Sequence, residues 1–334
     1  MATQDSIISD SNFGVRLEQF LDSLSAVHRT GAATVGLAVL LVLPQFLNAY
    51  YVQVLFTVYL FVFLAFGWNA LSGFTGYINF GYAGFIGIGA YTATILTVDL
   101  AFPWYAALLG AAVVTAVAGT LISIPMVRLD GNYFAVGMLA LATAMRLAAS
   151  SEYLSPITRG GTGIPFFAGL SIVQQYYLAA AVMAAAAYYT YRLAKSPRCL
   201  RLLAIREDEL LASALGVQVT REKVRAMTIH AAIAGFGGGM LAFNLSYVDP
   251  TTVFNIRYTE LPVVMVLFGS PGTVLGTAIG GVVVTLVSEW LWGAFPGWHQ
   301  FFFGLAIMAI VLFMPHGVIN RLKDAGYLPR RRTL

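Results

Sequence analysis

The sequence predicts an all-α, polytopic membrane protein of about ten transmembrane helices, and three observations carry that reading. Mean hydropathy is +0.78 over 334 residues. Only 10% of residues are charged, against about 25% in a soluble domain. No Asp, Glu, Lys, Arg or His occurs between Arg29 and Asp99, a gap that makes about three crossings of a ~30 Å hydrocarbon core at ~1.5 Å per helical residue.

Residues 1–30 read as a cytoplasmic N-terminal segment, polar and mixed in charge, without the order of a cleaved signal. Within it Gly14 to Arg29 has an apolar face and is expected to lie on the membrane. A transmembrane domain follows over 31–319, and a basic cytoplasmic tail over 320–334. The expected spans are Ala32–Asn48, Tyr51–Leu71, Ile78–Val98, Trp104–Pro125, Tyr133–Ser150, Ile172–Tyr191, Val224–Leu245, Tyr258–Ser270, Thr273–Leu291 and His299–Met314. Tyr258–Ser270 is short for a crossing and opens with Glu260 and Pro262, as a broken or re-entrant helix would.

Basic residues set the orientation. With the N-terminus inside, Arg16, Arg29, Arg128, eight residues of the loop 192–225 and five of the tail face the cytoplasm, sixteen of the 19 Lys and Arg. Arg146, Arg159 and Arg257 fall outside. Both termini are therefore expected in the cytoplasm, with the chain in the cell membrane.

The loop Arg192–Arg225 is the most unusual stretch, since it holds 12 of the 34 charged residues. Leu203, Leu210, Leu211 and Leu215, interleaved with Arg206, Glu207, Asp208 and Glu209, predict a short amphipathic helix that stops at Gly216. Such a helix can dock into a soluble partner and pass on a push. The alternative is a solvated loop that only fixes topology. Elsewhere, Gly235 and Gly239, and Gly272, Gly276 and Gly280, recur at four-residue spacing and predict close helix packing.

Catalytic sets are scarce. The four His show no metal-ligand spacing, the single Cys199 excludes an internal disulfide, and neither a G-x-S-x-G elbow nor a phosphate loop is present. Nucleic acid is not implied. His230 reads as a helix-packing residue rather than a proton relay. Polarity and position make Asn69, Asn79, Tyr82 and Glu260 the candidates for a translocation path, although Asn side chains equally bond helix to helix.

AIREDELLASALGV (Ala204 to Val217) and FNIRYTELPVVMVLFGSPGTVLGTAIGG (Phe254 to Gly281) resemble the LivM-type permeases of branched-chain amino acid ABC importers. GFTGYINFGYAGFIGIGAYTA (Gly73 to Ala93), RLDGNYFAVGMLALATAMRL (Arg128 to Leu147) and LFMPHGVI (Leu312 to Ile319) agree. The resemblance covers roughly Gly67 to Ile319.

It implies ABC importer permease architecture: a second, related permease beside this one, two cytosolic ATPase subunits beneath, and an extracytoplasmic binding protein above. ATP would be bound by the partners, so no cofactor is expected in this chain, and it would not itself be an enzyme. Glu209 to Gly216 would be the coupling helix, with Arg206, Glu207, Asp208, Glu209, Leu215 and Gly216 as the coupling residues. Two departures from the family pattern stand out, Tyr82 where a His is usual and Arg159 within the Thr-Gly-Gly run. The substrate expected is a branched-chain amino acid, with urea or a short amide as the alternative. A secondary transporter would leave the charged loop without a purpose.

Overall fold

The structure is a computed structural model that describes residues 42–324, except positions 168, 296, 299–300, 303, 306–307, 310–311 and 313–316. The amphipathic segment 1–30 and most of the basic tail lie outside the described residues. Among the described residues thirteen helices alternate with short turns, and the only strands are two two-residue segments.

After a helical stretch at 42–46, α1 (Ala49–Trp68) is capped by Asn48, whose side chain accepts from the Tyr51 amide. It runs on into a π-helical turn, Asn69–Gly73. Next come α2 (Tyr82–Val98), α3 (Trp104–Met126), α4 (Gly131–Ser150) and the single turn α5 (Ser155–Thr158). After β1 (Ile164–Pro165) the chain enters α6 (Ile172–Ala194) through a capping box in which Ser171 and Gln174 bond each other's backbone. The charged loop forms α7 (Pro197–Glu207) and α8 (Glu209–Ala214). Then follow α9 (Val219–Leu245), β2 (Tyr247–Val248), α10 (Pro250–Val253), α11 (Arg257–Gly269), α12 (Val274–Ala294) and α13 (Gly317–Asp324).

Five of these helices, Ala49–Gly73, Trp104–Met126, Gly131–Ser150, Val219–Leu245 and Val274–Ala294, are long and apolar enough to cross a bilayer; Tyr82–Val98 is a shorter apolar helix. Every expected span from Tyr51–Leu71 to Thr273–Leu291 coincides with a helix. Ala32–Asn48 falls largely, and His299–Met314 partly, on positions outside the described residues.

The long helix α9 occupies the centre, because its glycines let α2 and α3 come close. A Cβ at Gly235 would lie 2.4 Å from Thr115 Oγ1, and one at Gly238 2.1 Å from Ile86 O. The hairpin α11–α12 is equally tight, since a Cβ at Gly280 would meet Met265 O at 2.1 Å. The glycine spacing thus serves packing.

The molecule has two ends. At one, called here the island end, the turns after α1, α3, α6 and α11 gather around α7 and α8. At the other, the ribbon end, β1 pairs antiparallel with β2 through Ile164↔Val248.

The charged loop differs from the expected single helix. Asp208 adopts extended backbone (φ −159°, ψ 115°), ending α7, and its side chain accepts from the Leu211 amide at 2.9 Å to start α8. A carboxylate that can cap the next turn makes the break favourable. Cys199 is buried with Leu202 and Ile205 on the inner face of α7, so it offers no exposed thiol.

Candidate functional site

Local chemistry fixes the island helices first. Gly216 has φ +85°, Val217 N–H donates to Ala212 O, and Gly216 N–H donates to Ser213 O. Those two bonds define a Schellman cap at the end of α8. The helix turns its leucines outward: Leu210 is 85% exposed and Leu215 75%. Leu211, 60% exposed, adds to this outward apolar edge.

A buried charge network roots this surface in the spans. Glu222, in the first turn of α9, accepts from Arg198 Nε at 3.0 Å, Arg201 Nε at 3.1 Å and Arg225 at 3.5 Å. Lys223 is 3% exposed. Its ammonium donates to Tyr77 Oη at 2.6 Å, lies 3.9 Å from that ring's centroid and pairs with Glu209. Burial, and then the Glu209 carboxylate, push the Tyr77 phenol above its usual range, so it remains a neutral hydroxyl. Arg206 donates to Gly73 O at 3.0 Å, tying α7 to the π turn.

The π turn in turn holds the α11–α12 connection. Asn69 Nδ2 donates to Thr273 O at 3.1 Å, and Asn69 Oδ1 accepts from Gly272 N at 2.8 Å. Ser270 Oγ accepts from Asn320 N at 3.1 Å, which seats α13 on the same turn.

Two helices begin deep inside the membrane domain. Asn79 Nδ2 lies 2.8 Å from His230 Nε2, and His230 is eleven residues into α9, ~16 Å along its axis. The segment before α2 therefore enters from the island end as irregular chain. On the other side, Phe254 lies against Gly87, and Thr259 Oγ1 accepts from the Ala83 amide at 2.8 Å. So α11 starts beside the start of α2. The expected span Tyr258–Ser270 is short because α11 starts in the interior, with α10 and irregular chain leading into it.

Where the two starts meet, a cavity of about 320 Å³ opens beside α4. Its polar lining is Thr143, Arg146, Thr251, Asn255 and Thr259. Leu139, Phe254, Ile256 and Phe80 supply apolar wall.

None of the four path candidates lines this cavity. Asn69, Asn79 and Tyr82 are wholly buried, and their polar atoms are taken up inside the protein. Asn79 Oδ1 accepts from Gly81 N at 2.7 Å, and Tyr82 Oη donates to Leu64 O at 3.0 Å. Glu260 is half-buried in the first turn of α11. His230 packs as expected. Its Nδ1 faces Gly67 O at 3.0 Å; a carbonyl only accepts, so Nδ1 carries the proton and Nε2 accepts from Asn79.

The sequence reading missed Arg146 and Asn255 as cavity residues. The signal was present for Arg146, the one charge between Asp130 and Glu152 on an otherwise apolar stretch. It also missed the Glu222 and Lys223 pairings, since neighbouring charges in a charged run do not disclose their partners. Among the described residues no group of three or more His, Cys, Asp or Glu is placed to hold a metal.

Residues 50–311 match the family described as branched-chain amino acid transport system / permease component. The chain is 26% identical over 291 residues to the high-affinity branched-chain amino acid transport system permease protein LivM of Salmonella typhimurium, covering 78% of this chain and 68% of that protein. The Escherichia coli protein of that name gives the same figures. A probable LivM of Methanocaldococcus jannaschii is 24% identical over 233 residues, 64% of this chain and 67% of its own length. No solved structure matches. Because the family match covers most of the chain and its helices are those of a multi-pass membrane protein, this chain belongs to the branched-chain amino acid ABC transporter permease family.

Proposed function

We propose that this chain is one permease of an ATP-driven importer that moves leucine, isoleucine or valine across the cytoplasmic membrane. It would work with a second homologous permease, two cytosolic ATPase subunits and an extracytoplasmic binding protein. The island end faces the cytoplasm in this reading, together with both termini. The observation that carries it is α8, a capped helix with outward leucines whose neighbours are tied to the spans by buried charges.

The coupling then follows a physical route. An ATPase presses on Leu210, Leu211 and Leu215, and Asp208 and Gly216 keep both ends of α8 defined. Glu209 passes the displacement to Lys223 on α9, while Arg206 passes it to the π turn. Through Asn69 the 270–273 turn follows, and with it α11, a rod of ~20 Å that ends at the cavity. Glu207, the last residue of α7, adds charge at the docking face. Asn79 and Tyr82 act on translocation by holding the start of α2 rather than by touching solute, and Glu260 sits in the half-helix that moves.

The test is uptake by the assembled importer in proteoliposomes. Radiolabelled leucine should accumulate only when ATP and the binding protein are both present, with urea a poor competitor. Preferential urea uptake would replace the substrate, and uptake driven by an ion gradient without ATP would reject the ABC mechanism.

A further inference from the structure

We infer that the cavity at the meeting of α2 and α11 is a subsite for the amino-acid substrate, in which Arg146 holds the carboxylate. This rests on the importer reading and adds the residues that touch solute.

Arg146 stands on α4, a helix long and apolar enough to cross the membrane. Its side chain is half-buried and lines the cavity. Among the described residues no carboxylate pairs with it; the other two arginines expected outside pair elsewhere, Arg159 with Asp99 and Arg257 with Glu289. An unpaired guanidinium within a span is costly unless water or an anion meets it. A carboxylate matches its planar fork.

The rest of the lining complements a zwitterion. The Thr143 hydroxyl donates to Leu139 O and the Thr251 hydroxyl to Asp249 Oδ1. With their protons spent, both oxygens remain acceptors for an ammonium group. Asn255 Oδ1 accepts from Arg257 N, which leaves its amide NH₂ as a second donor for the carboxylate. Leu139, Phe254 and Ile256 provide a surface for an aliphatic side chain.

The helix starts add a weak field of the same sign. Both α2 and α11 point their N-terminal, partially positive ends at the cavity. The first amides are used within the protein, Ala83 N on Thr259 and Arg257 N on Asn255. Direct contact with the anion therefore falls to Arg146. A neutral solute such as urea makes no ion pair with that guanidinium and brings no side chain to the apolar wall.

Two experiments test this in the complete importer. In proteoliposomes supplied with ATP and binding protein, Arg146→Gln should cut leucine uptake at least ten-fold, and Arg146→Lys should restore part of it. In a Cys199→Ala background without binding protein, Thr143→Cys should react with a small hydrophilic methanethiosulfonate, and millimolar leucine should slow that reaction several-fold. Leucinol, which lacks the carboxylate, should not, and adding Arg146→Gln should remove the protection. If Arg146→Gln fails to assemble, protection of Thr143→Cys decides alone. Equal labelling with and without leucine, or protection by leucinol as good as by leucine, overturns the subsite. Wild-type-level uptake by Arg146→Gln overturns it too, and would mean that the guanidinium merely reaches the ribbon end. In each of those cases leucine uptake by the wild type leaves the importer reading standing; absence of wild-type uptake removes that reading instead.

Discussion

The two ends of the molecule use the same ionic chemistry at opposite degrees of burial. At the island end Glu222 is met by three arginines with its side chain 5% exposed, and Lys223 is sealed between Tyr77 and Glu209. At the ribbon end Arg159–Asp99 spans 3.2 Å with both side chains more than two-fifths exposed. Buried pairs resist separation because each partner would be left uncompensated, whereas exposed pairs are replaced by water at little cost. The island end is thus built to move as one piece. The ribbon end can rearrange contact by contact.

The sharpest way to break this contrast is Glu222→Gln. Loss of the carboxylate leaves three guanidinium groups facing one another at the root of α9, and the purified permease should lose about 3 kcal/mol of stability, the low end for a buried pair because the arginines reach water. Thermal unfolding in detergent measures it. A loss no larger than that of Arg159→Ala would show that burial makes no difference between the ends.

Lys223→Met should come next, at about 2 kcal/mol. The thioether side chain fills similar space beside Tyr77, so the loss reports the ammonium. Glu209 keeps partial access to water, which limits the damage. Because α8 loses its tether to α9, leucine uptake should fall further than stability alone accounts for. Uptake that tracks only the amount of folded protein would remove Lys223 from the coupling route.

Much of this was legible in the sequence, and the exceptions share a cause. Spans were readable because each is a local run of apolar residues, and the island because charge is conspicuous against them. The cap at Gly216 was readable since a glycine after a periodic leucine pattern marks a left-handed residue, found here at φ +85°. The break at Asp208 was not, because Asp is tolerated within a helix and only the competing cap decides. Deep starts of α2 and α11 were hidden for a different reason: Asn79 and Thr259 reveal their depth only through His230 and Ala83, partners 151 and 176 residues away. The polar residues at 69, 79 and 82 were rightly seen as exceptional within apolar sequence, but sequence could not tell a lining residue from a buried clasp.

Gly216 offers a smaller and cleaner probe of the island surface. A Cβ there meets nothing within 4 Å, so Gly216→Ala tests backbone handedness alone and should cost about 1 kcal/mol. Gly216→Pro cannot adopt φ +85° at all, and uptake should collapse while the chain still inserts. If Gly216→Pro transports leucine at the wild-type rate with its ATPases attached, α8 is not the coupling element.

The smallest effect is expected at Arg159, and its sign comes from three terms that nearly cancel. Arg159 sits at φ +57°, a conformation that costs a non-glycine residue about 1 kcal/mol. Glycine relieves that cost, but it also enlarges the entropy of the unfolded chain by 0.5–1 kcal/mol, roughly offsetting the gain. What remains is the pair with Asp99, which at this exposure contributes about 0.5 kcal/mol and is screened by salt. Arg159→Gly should therefore change stability by no more than about 0.5 kcal/mol, less at high ionic strength. Arg159→Ala keeps the backbone strain and loses the pair, so it should be the less stable of the two. Thermal unfolding of both variants at low and high salt measures the difference. A loss of about 2 kcal/mol or more in Arg159→Gly, insensitive to salt, would mean that the ribbon end is clamped as firmly as the island end.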